Sequence, residues 1–313
     1  MKKSFFASIL ILVGLIFSQG IFAQGVNIGV SPLSFELTAN PGDVIVNQLK
    51  VYNPSDDSVG IKMEIEDIIP AGERGEVKSL PAERETYSLA SWVTVEPAEF
   101  TLGPKEQKYV AFQVSVPGNA EPGGHYGTVL ARTTAVGAPA EGPGVAIVAR
   151  TGVLVLLSVS GDIREELVIR DFTAPIYSEY GPISFAIRFE NEGTVHVRPM
   201  AVVTITDFMG RKVAEIQLPQ NNVLPEAIRR FDVSWDKKWL FGGRYVATLS
   251  GSYGVGGTLL SPQVITFWVF PWKVGLGILV VLILLILTRR RWLAAFKVLI
   301  RGERRSRKVE NKD

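Results

Sequence analysis

The chain has 313 residues, with 33 Lys and Arg against 31 Asp and Glu, two His and no Cys. The missing Cys excludes thiol catalysis, thiolate metal ligation and a disulfide framework, and two His alone make a poor transition-metal centre. Setting aside Lys2, Lys3, Lys273 and everything from Arg289 onward, about 20 basic residues stand against about 28 acidic ones, so no basic stripe suited to nucleic acid exists outside the tail.

Met1-Lys2-Lys3 is a short basic start, Phe5 to Phe17 is apolar, and Ile21-Phe22-Ala23 ends on a small residue. These are the parts of a secretory signal over residues 1–23, cut after Ala23 or kept as an uncleaved anchor. No Cys follows, so a lipoprotein-type attachment is excluded.

Residues 24–161 read as a first domain. Ile61, Met63 and Ile65 alternate with Lys62, Glu64 and Glu66, and Val110, Phe112, Val114 and Val116 form a second period-two set. Pro41-Gly42-Asp43, Asn53-Pro54 and Pro117-Gly118-Asn119 separate such runs. Short alternating strands between turn residues predict an all-β sandwich of immunoglobulin-like type. A polar, charged insertion lies between about Pro70 and Trp92. Tyr87 and Trp92 there are the ligand-binding candidates, because binding surfaces favour aromatic anchors. Trp92 also opens Trp92-Val93-Thr94-Val95, where it reads equally as a core residue. Val145 to Val159 is nearly continuous in apolar residues, one long strand or two, with Gly152 expected at a bulge or bend.

Residues 162–266 repeat the pattern as a second domain. Ile183, Phe185, Ile187 and Phe189 alternate with polar or small neighbours, as do Ala201, Val203 and Ile205, and Phe231, Val233 and Trp235. The halves read as diverged copies. Val51-Tyr52-Asn53 echoes Phe189-Glu190-Asn191, and Leu102-Gly103-Pro104-Lys105 echoes Leu224-Pro225-Glu226. Gly123-Gly124-His125-Tyr126 echoes Gly242-Gly243-Arg244-Tyr245. A Tyr after a glycine-led turn matches the tyrosine corner of immunoglobulin-like sandwiches, with the phenol tucked under the turn.

From about Phe267 to Thr288 the chain can cross a ~30 Å hydrocarbon core at about 1.5 Å per residue. Trp268 and Trp272 flank one end and Arg289-Arg290-Arg291 the other. From Arg289 on, ten Lys and Arg face three acidic residues, which places the tail 289–313 in the cytoplasm and the sandwiches outside the cell membrane. Trp292, Leu293, Phe296, Leu299 and Ile300 share one helical face in that tail, among basic residues, so it contacts lipid either as an amphipathic helix or as a plain stop-transfer flank.

Chemical motifs are missing. His125 and His196 fall in different domains, no Gly-x-Ser-x-Gly, P-loop or His-Glu-x-x-His is present, and the acidic clusters lack calcium-loop spacing. No catalytic residue, metal or cofactor is expected.

Trp92-Val93-Thr94-Val95, Phe100-Thr101-Leu102, Val114-Ser115-Val116-Pro117 and Gly123-Gly124-His125-Tyr126-Gly127 together resemble the N-terminal domain of the WxL-interacting proteins, as do Ser31-Pro32-Leu33 and Val51-Tyr52-Asn53. The resemblance covers most of residues 26–160 and the second domain in outline. It implies a cell-surface protein whose first domain binds peptidoglycan and whose second engages surface proteins. Its motifs are scaffold residues, so no binding residue carries over. The leading expectation is a non-catalytic, single-pass, membrane-anchored envelope protein that binds peptidoglycan, surface proteins or both. The alternative is a membrane-tethered chaperone or assembly factor lending a strand edge to exported proteins. A third class, an envelope enzyme using the acidic residues between Glu73 and Glu85, has no motif to support it.

Overall fold

The computed structural model describes residues 28–80, 87–134, 148–238 and 243–289. The signal segment 1–23, residues 81–86 of the charged insertion and the tail beyond Arg289 lie outside the described residues. The described chain is all-β, two sandwiches in tandem followed by one helix, and it divides into two compact units.

The first unit holds β1 (Gly29–Ser31), β2 (Ser34–Ala39), β3 (Val44–Tyr52), β4 (Val59–Ala71), β5 (Glu76–Leu80), β6 (Val93–Glu96), β7 (Glu99–Leu102), β8 (Gln107–Ser115), β9 (Gly123–Thr134) and β10 (Arg150–Val159). A short 3-10 turn, Ala90–Trp92, precedes β6. One sheet runs β1-β3-β8-β6 and the other β2-β10-β9-β4-β5, with β7 also on β4. The chain leaves the first sheet at Ser31 and joins the second at Ser34, where β2 runs parallel to β10. The alternation read from the sequence is the reason for the layers. Ile61, Met63, Val110, Phe112 and Val114 are buried between the sheets, where period two must place them.

The second unit holds β11 (Leu167–Thr173), β12 (Tyr177–Ser178), β13 (Ile183–Asn191), β14 (Pro199–Thr206), β15 (Lys212–Gln217), β16 (Ile228–Trp235), β17 (Gly243–Tyr253), β18 (Thr258–Leu259) and β19 (Gln263–Val269). Its sheets run β11-β13-β16 and β12-β19-β17-β14-β15, and β12 again runs parallel to the last strand. The order of the shared strands repeats the first unit, except that β6 has no counterpart and the extra short strand is β18 on β17 rather than β7 on β4. Phe185, Phe189, Phe231 and Phe267 fill its core in edge-to-face contacts with centroids 5.5 to 5.8 Å apart.

Two of the sequence echoes are structural equivalents. Asn53 directly follows β3 and Asn191 ends the equivalent strand β13, each with a buried amide. Asn53 Nδ2 donates to the carbonyls of Asp57 and Gly103 at 2.7 and 2.9 Å, and Asn191 Nδ2 donates to Val223 O at 2.8 Å. The facing loops each put a non-glycine residue in the left-handed region, Lys105 at φ 56° and Glu226 at φ 58°.

The third echo breaks. Tyr245 points into its core, stacked on Phe267 at 5.6 Å and edge-on to Trp235. Tyr126 lies on the opposite face of its strand from Val129 and Ala131, outside the core cluster. The two rings are therefore not the same corner, because one register step in a strand moves every side chain to the other face. Tyr126 does tuck under its own turn: a Cβ on Gly124 would sit 1.9 Å from the phenol oxygen.

Three further expectations shift. Gly152 makes no bulge, since β10 pairs with β9 in unbroken register from Arg150↔Arg132 to Val159↔Gly123. It is a packing glycine instead: a Cβ there would meet Leu130 Cδ2 at 2.6 Å and Thr128 Oγ1 at 2.7 Å. The first part of the charged insertion is a hairpin, Asp67↔Leu80 to Ala71↔Glu76, turned by glycines at positive φ. Finally, Phe267–Val269 belongs to β19, with Phe267 and Val269 buried, and the helix α1 runs Trp272–Arg289. Pro271 suits the residue just before α1, where a missing N–H costs nothing. None of the most apolar stretch of α1 is buried, and it is long and apolar enough to cross a membrane.

Candidate functional site

The strand switch at Pro32 decides where the first sandwich is open. β2 covers β10 only from Leu154↔Ser34 onward. Before that, Arg150 to Val153 pair with β9 on one side, and no strand among the described residues lies on the other. Leu154 N donates to Leu33 O toward the open side, so by alternation the main-chain groups of Gly152 and Arg150 point the same way. Arg150 is held by Glu66 at 2.5 Å and Glu64 at 3.4 Å on the outer face of the sheet. The inward residues along this edge are Ala149 and Thr151, small and half-buried, and then Val153, fully buried in the core, and Val148 is exposed.

The second sandwich has the equivalent opening along Gln263 to Phe267 of β19, because β12 pairs only with Trp268 and Val269. Its inward residues are large: Ile265 packs on the core and Phe267 is fully buried. Other edges carry the devices that discourage pairing. β15 has the Lys212–Glu215 ion pair, β16 has Arg230 bound to Asp232, β11 shifts register between Ile169 and Asp171, and β6 stops at Pro97 after four residues.

The two sequence candidates sit in one segment but are not brought to one site. Trp92 packs on the core and against the His125 ring, centroids 4.3 Å apart. His125 is itself buried, with Nδ1 2.9 Å from Ser88 O and Nε2 3.0 Å from Glu121 O. Tyr87 adopts φ 61° and faces Tyr126, centroids 6.4 Å apart. Burial pushes the Tyr126 phenol far above its ordinary value.

What holds this segment is Asp67, a residue sequence reasoning missed. Asp67 is 1% exposed; Oδ1 accepts from Leu89 N and Ala90 N, and Oδ2 from Ser88 Oγ, all at 2.8 Å. A signal existed. Asp67 takes the next inward position after Ile61, Met63 and Ile65, where the alternation calls for an apolar residue.

A second surface is the outer face of the β1-β3-β8-β6 sheet. Tyr109 (63% exposed) and Tyr52 (40%) stand there with Gln48, Gln107, Val44 and Val46. The Tyr52 ring lies over Gly29, its cross-strand partner, where any Cβ would collide with it. Beside this face is a cleft of about 490 Å³ lined by Val46, Thr94, Glu96, Ala111 and Gln113. Among the described residues, no three His, Cys, Asp or Glu side chains converge as metal ligands would.

No protein-family model matches the sequence, and no curated protein does. Among solved structures, the chain is similar to the class 5 fimbriae chaperone CfaA, at 16% identity over 78% of this chain and 100% of that one, with a TM-score of 0.38. It is also similar to the E. coli chaperone DraB, at 10% identity over 79% and 100% with a TM-score of 0.36, and to the Pseudomonas aeruginosa CupB2 chaperone, at 11% over 77% and 100% with a TM-score of 0.36.

Proposed function

We propose that this protein is a non-catalytic, membrane-anchored binding protein of the cell envelope that engages exported or surface polypeptides by strand addition at β10. The observation that supports the reading is the main chain of Arg150 to Val153, which no strand among the described residues covers, beside small inward side chains at Ala149 and Thr151. An extended partner segment gains main-chain hydrogen bonds there, each worth about 1 kcal/mol net, and directs alternate side chains to the sandwich interior. The helix Trp272–Arg289 then serves as a single span, with the arginine-flanked end in the cytoplasm and the sandwiches outside. The test is a photo-crosslinking amino acid at Val148 in the full membrane-bound chain, with Val264 on the equivalent β19 edge as comparison. Adducts with an exported polypeptide at Val148 but not Val264, lost on Arg150→Pro and kept on Arg150→Ala, are expected. Equal adducts at both positions, or adducts indifferent to Arg150→Pro, refute the reading.

A second reading has its own observation. The flat face bearing Tyr52, Tyr109, Gln48 and Gln107 combines aromatic rings with amides, the chemistry that holds sugar polymers, and the resemblance to the WxL-interacting family implies peptidoglycan. Retention of the full chain on purified cell-wall sacculi should fall at least about tenfold with Tyr52→Ala and Tyr109→Ala together, the loss of two such contacts. Unchanged retention removes it.

A further inference from the structure

The end of the second sandwich from which α1 departs is an apolar rim. Register places it. Thr206, Val246 and Thr266 lie side by side across β14, β17 and β19, so the β14–β15 turn is level with Trp268 and Val269. The β12 segment is at the same end, with Tyr177 opposite Trp268. On this rim Ile176 is 80% exposed, Phe208 68%, Met209 64% and Tyr180 58%. Trp268 and Phe270 are also half exposed. A monomeric water-soluble surface rarely gathers so many large apolar side chains at one end.

The rim is fastened to the first turn of α1. Only Phe270 and Pro271 separate β19 from the helix. Phe270 N donates to Ser178 O at 3.0 Å, Trp268 N donates to Ile176 O at 2.9 Å, and Tyr177 Oη donates to Phe270 O at 2.5 Å. Lys273, in the first turn, pairs with Glu179 at 3.0 Å. The helix therefore does not hang from a free linker. Once α1 is in a bilayer with Trp272 at its boundary, the loops 176–180 and 207–211 are held at headgroup depth. The headgroup layer adds about 5–7 Å on each side of the hydrocarbon, and Tyr, Trp and apolar side chains next to cations are the residues that settle in it. Arg244 is exposed beside Trp268, in a cleft of about 690 Å³ shared with Asp207, Phe208 and Val246, and its guanidinium is the group there suited to a phosphate.

We infer that the second sandwich sits directly on the bilayer, its rim of Ile176, Tyr180, Phe208, Met209 and Trp268 inserted among phospholipid headgroups. This goes beyond the strand-addition reading and rests only on α1 being a span. The seat fixes the orientation of this sandwich relative to the membrane, so that it is presented upright rather than swinging on a tether.

The absence of Cys makes the test direct. Single nitroxide labels are placed in the full chain in phosphatidylcholine nanodiscs at Met209→Cys and Tyr180→Cys on the rim. Comparison labels go at Val255→Cys and Leu259→Cys, exposed positions at the other end of β17, and at Leu279→Cys within α1. Collision with an aqueous nickel chelate should be at least about threefold lower at 209 and 180 than at 255 and 259, as at an interfacial depth. Equal collision rates at all four positions, with Leu279→Cys still shielded, overturn the seat alone. A chelate-accessible label at 279 overturns the span and the seat with it.

Discussion

The twin asparagines give the sharpest test of the fold. Asn53 and Asn191 stand at the ends of equivalent strands, and each buried amide donates to carbonyls of neighbouring loops while its Oδ1 accepts a main-chain N–H, from Ser55 at 3.0 Å and Gly193 at 2.9 Å. Asn53→Ala removes two bonds to carbonyls and the acceptor of one main-chain N–H, and Asn191→Ala removes at least one of each; the carbonyls keep a second donor, Ser55 Oγ, Glu106 N or Val197 N, so the N–H groups are what is left unpaired. At about 1 kcal/mol per hydrogen bond, and more for an N–H left buried and unpaired, the cost is about 3 kcal/mol at Asn53 and at least about 2 kcal/mol at Asn191. Asp has the same shape and should be worse. It turns the donor into a charged oxygen facing Asp57 O and Gly103 O at the distances of the lost bonds, which adds repulsion to the cost of burying a charge. That excess grows as pH rises past the ordinary carboxylate range, because only the charged form is repelled. Urea unfolding of the full chain in detergent, with hydrogen exchange followed separately at 102–107 and 223–228, reports each unit. Asp variants equal to or more stable than the Ala variants at neutral pH would refute the assignment of these amides as donors.

Asp67→Ala should release residues 88–92, raising their hydrogen exchange by the loss of about 3 kcal/mol, whereas Asp67→Asn keeps two of its three bonds and should cost about 1 kcal/mol; equal effects would mean that the carboxylate does not hold this segment. Gly152→Ala should destabilise the first unit by about 1–3 kcal/mol through overpacking against Leu130, with a cost that shrinks when Leu130→Ala is added, while additive costs would argue against that contact. Burial works to raise the Asp207 carboxyl, but the Arg211 guanidinium and the Arg211 and Met209 amides hold it below the usual carboxylate range. A carboxyl held low stabilises the β14–β15 turn above its unfolded value of about 4 and loses that contribution as pH falls through the folded value. Exchange at 207–211, corrected for its intrinsic rate, should therefore quicken below about pH 4, and Asp207→Asn should erase that pH step.

The layers were legible because period two needs no tertiary information. Ile61, Met63 and Ile65, or Ile183 to Phe189, can face inward only as strands. The Asn echoes were legible for a related reason: an amide at a strand end in both halves marks a turn that both must make. Tyr126 and Tyr245 misled because their glycine-led motif reads alike while the strand registers differ by one, and a local pattern cannot report which face a register selects. Gly152 misled similarly, since a bulge and a close approach both call for glycine, and only the position of Leu130 across the sheet tells them apart. The end of β19 was folded into the span because Phe267, Val269 and Phe270 are as apolar as the helix beyond them. The open edge was not legible at all, since it depends on where β2 ends its pairing with a strand more than a hundred residues away.

The two units share a layout and differ in how the same opening is filled, and that difference bears on function. In both, the first strand begins in one sheet and crosses to run parallel to the last strand of the other, and no strand among the described residues covers the early part of that last strand. An uncovered edge alone does not make a binding site, because an added strand must also place alternate side chains. In the second unit Ile265 and Phe267 already occupy the inward positions, and the far end of the strand is committed to the segment that enters α1. In the first unit Val153 is likewise buried in the core, but Thr151 and Ala149 before it leave the inward positions small. Enlarging them is therefore the discriminating change. Thr151→Ile should leave β9–β10 pairing intact, since β-branched residues suit strands, and yet reduce capture at Val148 by blocking the partner's side chains rather than its main chain. Capture that survives Thr151→Ile but not Arg150→Pro would mean that main-chain pairing alone carries recognition, and the contrast between the two units would then need another cause.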